Sequence, residues 1–248
     1  MPECSHGDCP RVIEVWDNQL GVGKVAVQSY RFEAGRVPDL LEVPSSEQMG
    51  WMSWDDWCWF SDEMAPGKKP ESLGDLLAGA RRNTFRLETL PQYRSPAEAE
   101  ALAAFREGRP QPGLSDAAVA WLEQIRRAAA SGRRRQRVHV VSRPLTEYLR
   151  WELLHGYTHN AAAGEEILIA DRKGHPELAG LTRDFYTLDG RVAVVMDYDE
   201  EGGLLAGWRT DDPDVVHACR RQYETAFAAA VPLRQYLERT DLVEPARV

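Results

Sequence analysis

The spacing of apolar residues changes along the chain, and so does the kind of element that the sequence predicts. The segments RVIEVWD (11–17) and KVAVQSYRF (24–32) are rich in β-branched and aromatic residues. NQLGVG lies between them and supplies glycines for a turn. The first part of the chain therefore predicts a β-hairpin.

From residue 71 the apolar residues recur with the period of an α-helix. Three helices are predicted, and each begins with a serine that can cap a helix N-terminus. The second and third also end on glycine, which suits the end of a helix. The first helix starts at Ser72, and the other two span residues 95–108 and 115–132.

The last hundred residues alternate strands and helices. RVHVV (137–141) and EEILIA (165–170) predict parallel strands, with a helix over 144–162 as the crossover between them. An antiparallel meander of three strands follows, and then a long helix that Pro232 is expected to kink or end; these elements span 184–189, 191–198, 203–210 and 212–238. The pattern predicts an α+β fold, in which a mixed sheet (a βαβ unit followed by an antiparallel meander) is flanked by helices and preceded by a small β-rich N-terminal unit.

Composition indicates where the domains meet. APGKKP, at residues 65–70, contains two prolines, a glycine and two lysines, and is typical of a linker. It separates a β-rich, Trp-rich unit over 1–64 from a main domain over 71–240. Residues 241–248 are predicted to form a tail.

The charge of the chain disfavours direct nucleic-acid binding. The 248 residues carry a formal net charge of −9, whereas a general nucleic-acid binder needs a basic field. The run RRRQR at 133–137 is a local exception, and it predicts either a solvated linker, which we favour, or a grip on an anion or RNA. No apolar stretch reaches the roughly 18 to 20 residues of a membrane span, and the N-terminus lacks the features of a signal peptide, so we expect a cytoplasmic protein.

Glu152, His155 and His159 form the first candidate site. On a regular helix over 144–162 the two histidines lie four residues apart on one face, with Glu152 one turn before them. They could act as catalytic acid–base groups, hold a metal, or be ordinary residues near a helix end. Gly156 stands where a zinc-protease motif has its glutamate, so that signature is absent. The sequence favours the structural alternative.

The N-terminal unit contributes two further candidates. Three zinc-binding side chains lie within six residues and a cysteine further along could complete the site: Cys4, His6, Cys9 and Cys58. Zinc is the one cofactor that the sequence suggests, although this spacing is not that of a standard zinc knuckle. A group of tryptophans predicts either the core of the unit or a surface that binds a partner: Trp51, Trp54, Trp57 and Trp59.

Five sequence segments stand out from residue 85 onwards. They are FRLETLPQY (85–93), RVHVVSRPLTEYLRWEL (137–153), NAAAGEEILIADR (160–172), DFYTLDGRVAVVMDYDEEG (184–202) and CRRQYETAFAAAVPLRQY (219–236). In this order and spacing they resemble a family of actinobacterial (Streptomyces-type) proteins of unknown function, over residues of about 70–240. Members of that family are often encoded beside helix-turn-helix regulators, or fused to them.

The same resemblance carries an expectation about the fold. The strand order is similar to a half-domain of the phospholipase D-like fold, whose active members need an H-x-K-x4-D motif. None of the six histidines of this chain is followed two residues later by lysine. The resemblance therefore implies a phospholipase D-like fold without the catalytic motif.

Polar residues of these five sequence segments form the second main candidate site. They could bind a small anionic ligand, with two arginines clamping a phosphate or carboxylate. The alternative is that they form buried ion pairs that fix the domain. The residues are Arg86, Arg150, Asn160, Glu165 and Arg172.

Two hypotheses about function follow. The first is a non-catalytic regulatory or ligand-sensing protein that acts through a protein partner, with a helix-turn-helix regulator as the candidate partner. The alternative is an enzyme of specialised metabolism, a transferase or hydrolase, with a pocket near Arg150, Glu152, His155 and His159. The sequence establishes no reaction.

Overall fold

A mixed sheet organises the part of the chain that the structure describes. The computed structural model describes residues 12–17, 22–27, 73–240 and 242. Its strands pair in the order β2-β1-β8-β7-β6-β3-β4-β5-β9, and β3, β4 and β5 run parallel to one another. The strands are β1 (Val12–Asp17), β2 (Val22–Val27), β3 (Asn83–Glu88), β4 (Arg134–Val141), β5 (Glu166–Asp171), β6 (Asp184–Leu188), β7 (Val192–Tyr198), β8 (Leu204–Thr210) and β9 (Val231–Pro232).

Helices cover both faces of this sheet. One long helix, α6, packs on one face against an apolar core that includes Leu87, Val138 and Phe185. On the other face two apolar clusters lie side by side, one beneath α1 and the other beneath α2, α4, α5 and α7. The helices are α1 (Leu73–Gly79), α2 (Ala99–Arg106), α3 (Asp116–Ala130), α4 (Glu147–Trp151), α5 (Tyr157–Ala163), α6 (Pro213–Ala229) and α7 (Leu233–Arg239).

The predicted βαβ unit and meander are confirmed. β4 and β5 pair in parallel across a helical crossover, and β6, β7 and β8 form an antiparallel meander. The N-terminal strands β1 and β2 pair with each other, and β1 also pairs with β8, so the sheet continues into them. The predicted linker at 65–70 lies outside the described residues.

The interior strand β3 is an element that the sequence analysis misses. Its residues alternate between two buried faces, with Phe85 and Leu87 in the α6 core and Thr84, Arg86 and Glu88 on the other side. An alternation of apolar and charged residues normally indicates a strand with one solvent-facing side. In β3 the side that carries Arg86 and Glu88 is covered as well as the apolar side.

The sequence suggested a solvated linker at 133–137, but the arginine run does not form one. Four of its five residues belong to β4, and Arg135 and Arg137 are buried. The guanidinium of Arg135 lies 4.5 Å from the centre of the Trp121 ring. Arg133, just before the strand, donates to the carbonyl groups of Ala78 and Ala80 at the end of α1. Arg135, Gln136 and Arg137 of the run therefore lie in the interior, whereas Arg134 is exposed.

The predicted helix over 144–162 is interrupted by a π-helical turn. α4 ends at Trp151, a π turn spans Glu152–Gly156, and α5 follows. In the π turn the amide of Tyr157 donates to the carbonyl of Glu152, five residues earlier. Because the turn holds one extra residue, Glu152 and Tyr157 are both buried, whereas His159 is exposed.

Three helix ends can be compared with the predictions from the sequence. Ser115 accepts a hydrogen bond from the amide of Ala118 and caps α3 as expected. The helix predicted to start at Ser95 begins only at Ala99. The last helix ends near Pro232 as predicted, because α6 stops at Ala229 and β9 separates it from α7.

Among the described residues no helix is both long enough and apolar enough to span a membrane.

Asp189 closes the turn between β6 and β7 and also holds the loop before β3. It has a φ of +53°, and its carboxylate accepts from the amides of Arg81, Arg82 and Asn83 at 2.7–3.0 Å. We expect Asp189→Ala to destabilise the protein by about 2 kcal/mol, because these amides lose their acceptor and alanine tolerates positive φ poorly. Asp189→Asn should cost less, since asparagine keeps one acceptor oxygen. Urea unfolding of both variants tests this, and equal midpoints for the two would contradict it.

Candidate functional site

Charged and hydroxyl-bearing side chains fill the sheet face between the two apolar clusters. The register of the parallel strands sets Arg86 beside Arg137 and Glu88 beside His139. Helical residues beyond β4, and residues at the starts of β5 and β6, complete the group. We call the following residues the polar cluster: Arg86, Glu88, Arg137, His139, Tyr148, Glu152, Tyr157, Glu165 and Asp184.

Arg137 is the central cation of the polar cluster. Its guanidinium donates to both carboxylate oxygens of Glu88 at 2.9 and 3.0 Å, and to Glu165 at 3.1–3.2 Å. Arg86 forms a second ion pair with Glu88 at 2.6 Å. Burial by itself would raise the pKa of Glu88, but Arg137 and Arg86 outweigh burial and lower this pKa to about 2. Glu88 is therefore a carboxylate held by two arginines.

His139 is completely buried and uses both of its ring nitrogens. Nε2 lies 3.0 Å from the carbonyl oxygen of Leu90, and Nδ1 lies 2.6 Å from the hydroxyl of Tyr157. The same hydroxyl lies 2.6 Å from a carboxylate oxygen of Glu88. Burial lowers the pKa of His139, although Glu88 acts in the opposite direction. The ring thus connects β4, the π turn region and the segment after β3.

Glu152 enters the cluster from the π turn. The hydroxyl of Tyr148 donates to its Oε1 at 3.1 Å, and its Oε2 lies 3.7 Å from Nδ1 of His139. Within the described residues, Oε2 has no hydrogen-bond partner. Burial, and then the nearby charge of Glu88, raise the pKa of Glu152 well above its usual range. The hydroxyl of Tyr148 also lies 3.4 Å from Glu98, which reaches the surface.

A segment over 89–94, the strap, crosses the carboxyl ends of β3 and β4. The Thr89 amide and hydroxyl donate to Asp184 at 2.7 and 2.8 Å, and the Tyr93 hydroxyl donates to it at 2.5 Å. Burial, and then Glu88, raise the pKa of Asp184 to about 6. Thr146 donates to the carbonyl of Pro91 at 2.5 Å and fixes the other side of the strap. Ligands of α/β sheets commonly bind at this end of parallel strands.

Arg86 is the part of the cluster closest to solvent, with 17% of its side chain exposed. Its guanidinium carbon lies 5.0 Å from the centre of the Tyr186 ring and 5.8 Å from that of Tyr93. Its Nε is buried and has no acceptor among the described residues. Arg86 therefore has a buried N–H donor that no described residue uses.

Residues 71–238 match the model of a protein family described as a domain of unknown function, DUF6879. The chain belongs to the DUF6879 family. The polar cluster lies entirely within the matched residues. No curated protein sequence matches the chain.

Solved structures with low similarity to this DUF6879 protein include the following three. Nuc of Salmonella typhimurium, a phospholipase D family member, is 6% identical over 64% of this chain and 86% of its own, with a TM-score of 0.40. NucT of Helicobacter pylori is 11% identical over 64% and 87%, with a TM-score of 0.39. TrmBL2, an archaeal chromatin protein, is 12% identical over 64% and 47%, with a TM-score of 0.37. This similarity is low and supports no statement about activity.

The candidate helix face of the DUF6879 domain is not assembled as predicted. Glu152 is buried in the polar cluster and His159 is exposed, because the π turn changes the angular spacing of the residues that follow. His155 packs edge-on against Phe105, with ring centres 5.7 Å apart. Among the described residues no three acids, histidines or cysteines form a group that could hold a metal.

The predicted ligand-binding residues are only partly brought together. Arg86 and Glu165 belong to the polar cluster, as ion pairs of the kind that the structural alternative predicts. Arg172 donates to the carbonyl groups of Leu178 and Leu181 and holds the loop before β6. The other two predicted residues are half-buried on the helical crossover: Arg150 and Asn160.

The candidates of the N-terminal unit lie outside the described residues. These are the zinc ligands Cys4, His6, Cys9 and Cys58 and the tryptophans Trp51, Trp54, Trp57 and Trp59. Both interpretations stay predictions.

The sequence analysis misses most of the polar cluster. Arg137 and His139 stand at alternate positions of the segment RVHVV (137–141), whose other residues are apolar, and this was the available signal. Such side chains face the same side of a sheet, so they must be exposed or paired. Their partners come from other elements: Glu88, Tyr148, Tyr157 and Asp184.

Proposed function

We propose that this DUF6879 protein is a regulatory, ligand-sensing protein that binds a small anionic ligand at Arg86 and acts through a protein partner. The ligand supplies an oxygen that accepts a hydrogen bond from Nε of Arg86. Small carboxylates and phosphate belong to this chemical class, and arginine is the side chain best suited to either.

The unused Nε of Arg86 is the observation that carries this proposal. A buried N–H donor without an acceptor costs about 1–3 kcal/mol, and buried donors in proteins are nearly always paired. The terminal nitrogen of the same guanidinium is already held by Glu88 at 2.6 Å, which fixes its orientation. A ligand oxygen at Nε would recover the lost hydrogen bond without displacing that ion pair.

The contacts of His139 and Glu88 favour binding over catalysis at these two residues. A general base or nucleophile needs a free lone pair directed at its substrate. Both ring nitrogens of His139 are engaged within the protein, and Glu88 is held by two arginines and Tyr157. The ion pairs of Glu88 with Arg86 and Arg137 hold the Arg86 guanidinium in place, which suits the recognition of a ligand.

A panel of small anions tests whether Arg86 binds an anionic ligand. Acetate, succinate, benzoate and phosphate are added separately to the full-length chain, and the midpoint of thermal unfolding is measured. We expect at least one anion to raise the midpoint, because a ligand that binds the folded state stabilises it. Arg86→Lys should abolish that rise, since lysine keeps the charge beside Glu88 but has no Nε–H at this position.

Arg126→Lys is the matched control, because Arg126 is exposed on α3 and forms an ion pair with Glu123. It should respond to the anion as the wild type does. If no anion raises the midpoint, or if Arg86→Lys responds as strongly as the wild type, the ligand proposal is wrong.

The partner is tested separately. The resemblance to proteins encoded beside helix-turn-helix regulators makes the neighbouring regulator the candidate. We expect the two full-length proteins to elute together in size-exclusion chromatography, and the anion that binds Arg86 to change the fraction in complex. Separate elution with and without the anion would contradict this part of the proposal and leave the ligand site standing.

A further inference from the structure

The hydrogen bonds around His139 need one more proton than a neutral ring provides. The Leu90 carbonyl oxygen only accepts, so Nε2, which lies 3.0 Å from it, carries a hydrogen. Nδ1 then has a lone pair if the ring is neutral, and a second N–H if the ring is cationic. Which form is present decides what the Tyr157 hydroxyl does.

Tyr157 has one hydroxyl proton and two close neighbours. Its oxygen lies 2.6 Å from Nδ1 of His139 and 2.6 Å from Oε2 of Glu88. If Tyr157 donates to a neutral His139, its oxygen and a carboxylate oxygen face each other at 2.6 Å without a proton. If His139 is cationic, Nδ1–H donates to Tyr157 and Tyr157 donates to Glu88. Only the cationic ring satisfies all three contacts. Burial lowers the pKa of His139 and opposes this form, whereas the Glu88 carboxylate, 3.9 Å from Nδ1, favours it.

Glu152 is the nearest source of that extra proton. Its Oε2 lies 3.7 Å from Nδ1 of His139 and has no partner among the described residues. Burial beside Glu88 favours a protonated Glu152 carboxyl group. A transfer from this carboxyl group to the imidazole leaves a carboxylate and an imidazolium next to each other, with no proton gained or lost overall.

We propose that His139 and Glu152 share one buried proton, and that its transfer from Glu152 to His139 fixes the Tyr157 hydroxyl on Glu88. The pair is a switch inside the fold, because the proton position decides whether β4, the strap and α5 are joined by a complete chain of hydrogen bonds. Two such groups titrate as a coupled pair, so their apparent pKa values belong to the pair and not to either residue. The proposal does not depend on the anion at Arg86.

The transfer leaves the net charge of the polar cluster unchanged. Before it, Arg86 and Arg137 face Glu88 and Glu165, and after it the imidazolium of His139 lies beside the new carboxylate of Glu152. The other titratable groups near the pair come from α4, from the strap, from the turn before α2 and from β6. Tyr148 donates to Glu152 and lies 3.4 Å from Glu98. The ring centre of Tyr93 lies 6.0 Å from that of His139, and the hydroxyl of Tyr93 donates to Asp184.

Nitrogen NMR of the histidine rings tests the proposal on the full-length chain. The ¹⁵N shifts of Nδ1 and Nε2 distinguish the imidazolium from either neutral tautomer. At neutral pH we expect wild-type His139 to carry hydrogens on both nitrogens. In Glu152→Gln, which has the same shape but no acidic proton, we expect the loss of the Nδ1–H signal and retention of the Nε2–H signal. His139→Gln assigns the resonances.

The surface pair His175 and Glu177 provides the matched control, because Nδ1 of His175 lies 2.8 Å from Oε1 of Glu177 in an exposed position. Glu177→Gln should leave both His139 signals unchanged. A neutral His139 in the wild type at neutral pH overturns the proposal, and this outcome needs no variant. A His139 that stays cationic in Glu152→Gln also overturns it, because the proton then does not come from Glu152.

Discussion

Replacing Arg137 with methionine is expected to destabilise the protein by about 3–5 kcal/mol, the largest effect that we predict for a single side chain. Arg137 is 4% exposed and holds the buried carboxylates of Glu88 and Glu165. Without it, both carboxylates lose a buried partner, which is far more costly than the loss of a surface ion pair. Urea unfolding at neutral pH measures the change.

Arg134→Met is the control for this experiment. Arg134 belongs to the same strand and pairs with Glu166 at 2.8 Å, but its side chain is 54% exposed. Surface ion pairs contribute about 0–1 kcal/mol, so this variant should unfold near the wild type. Equal losses in the two variants would show that the buried ion pairs of Arg137 contribute no more than a surface pair.

Glu88→Gln is expected to remove part of the acid sensitivity of the protein. The pKa of Glu88 is lowered from 4.5 to about 2 in the folded state. Its contribution to stability is therefore complete above pH 4.5 and is lost as the pH falls through about 2. A pKa shift of this size corresponds to about 3 kcal/mol of unfolding free energy.

The difference in unfolding free energy between wild type and Glu88→Gln isolates this contribution, because other groups, including Asp184, titrate in both proteins. We expect the difference to be largest at neutral pH and to shrink as the pH falls towards 2. Glu123→Gln, at an exposed position on α3, should show no such trend. A Glu88→Gln difference that does not change with pH would mean that Glu88 is not held as a carboxylate.

The parts of the fold that follow from local patterns could be predicted from the sequence. β6, β7 and β8 are apolar segments joined by short turns, and their meander appears as predicted. Ser115 caps α3, because a serine before a helix accepts from an amide of the first turn. These features depend on residues that are close together in the chain.

The parts that depend on distant residues could not be predicted. β3 carries Arg86 and Glu88 on a face that would be exposed in a sheet with one covered side. That face is buried because Arg137 and Glu165 come to it from β4 and the start of β5. Their pairing depends on register between strands that lie about fifty residues apart.

The π turn explains the error at the first candidate site. Glu152, His155 and His159 share a face only if the helix keeps the α period through Gly156. One extra residue in the turn places Glu152 with Tyr157 instead. Nothing in the segment WELLHGYTHN signals this locally, because the turn serves contacts with His139 and Glu88 on the sheet.

The most direct test of the central claim, that Arg86 binds an anionic ligand, is NMR of the arginine Nε–H groups in the full-length chain. Spectra are recorded while acetate, succinate, benzoate or phosphate is titrated, and Arg86→Lys assigns the Arg86 signal. The account predicts that with at least one anion the Arg86 signal moves and saturates, while the signal of exposed Arg126 does not. An Arg86 signal that stays in place with all four anions would contradict the account.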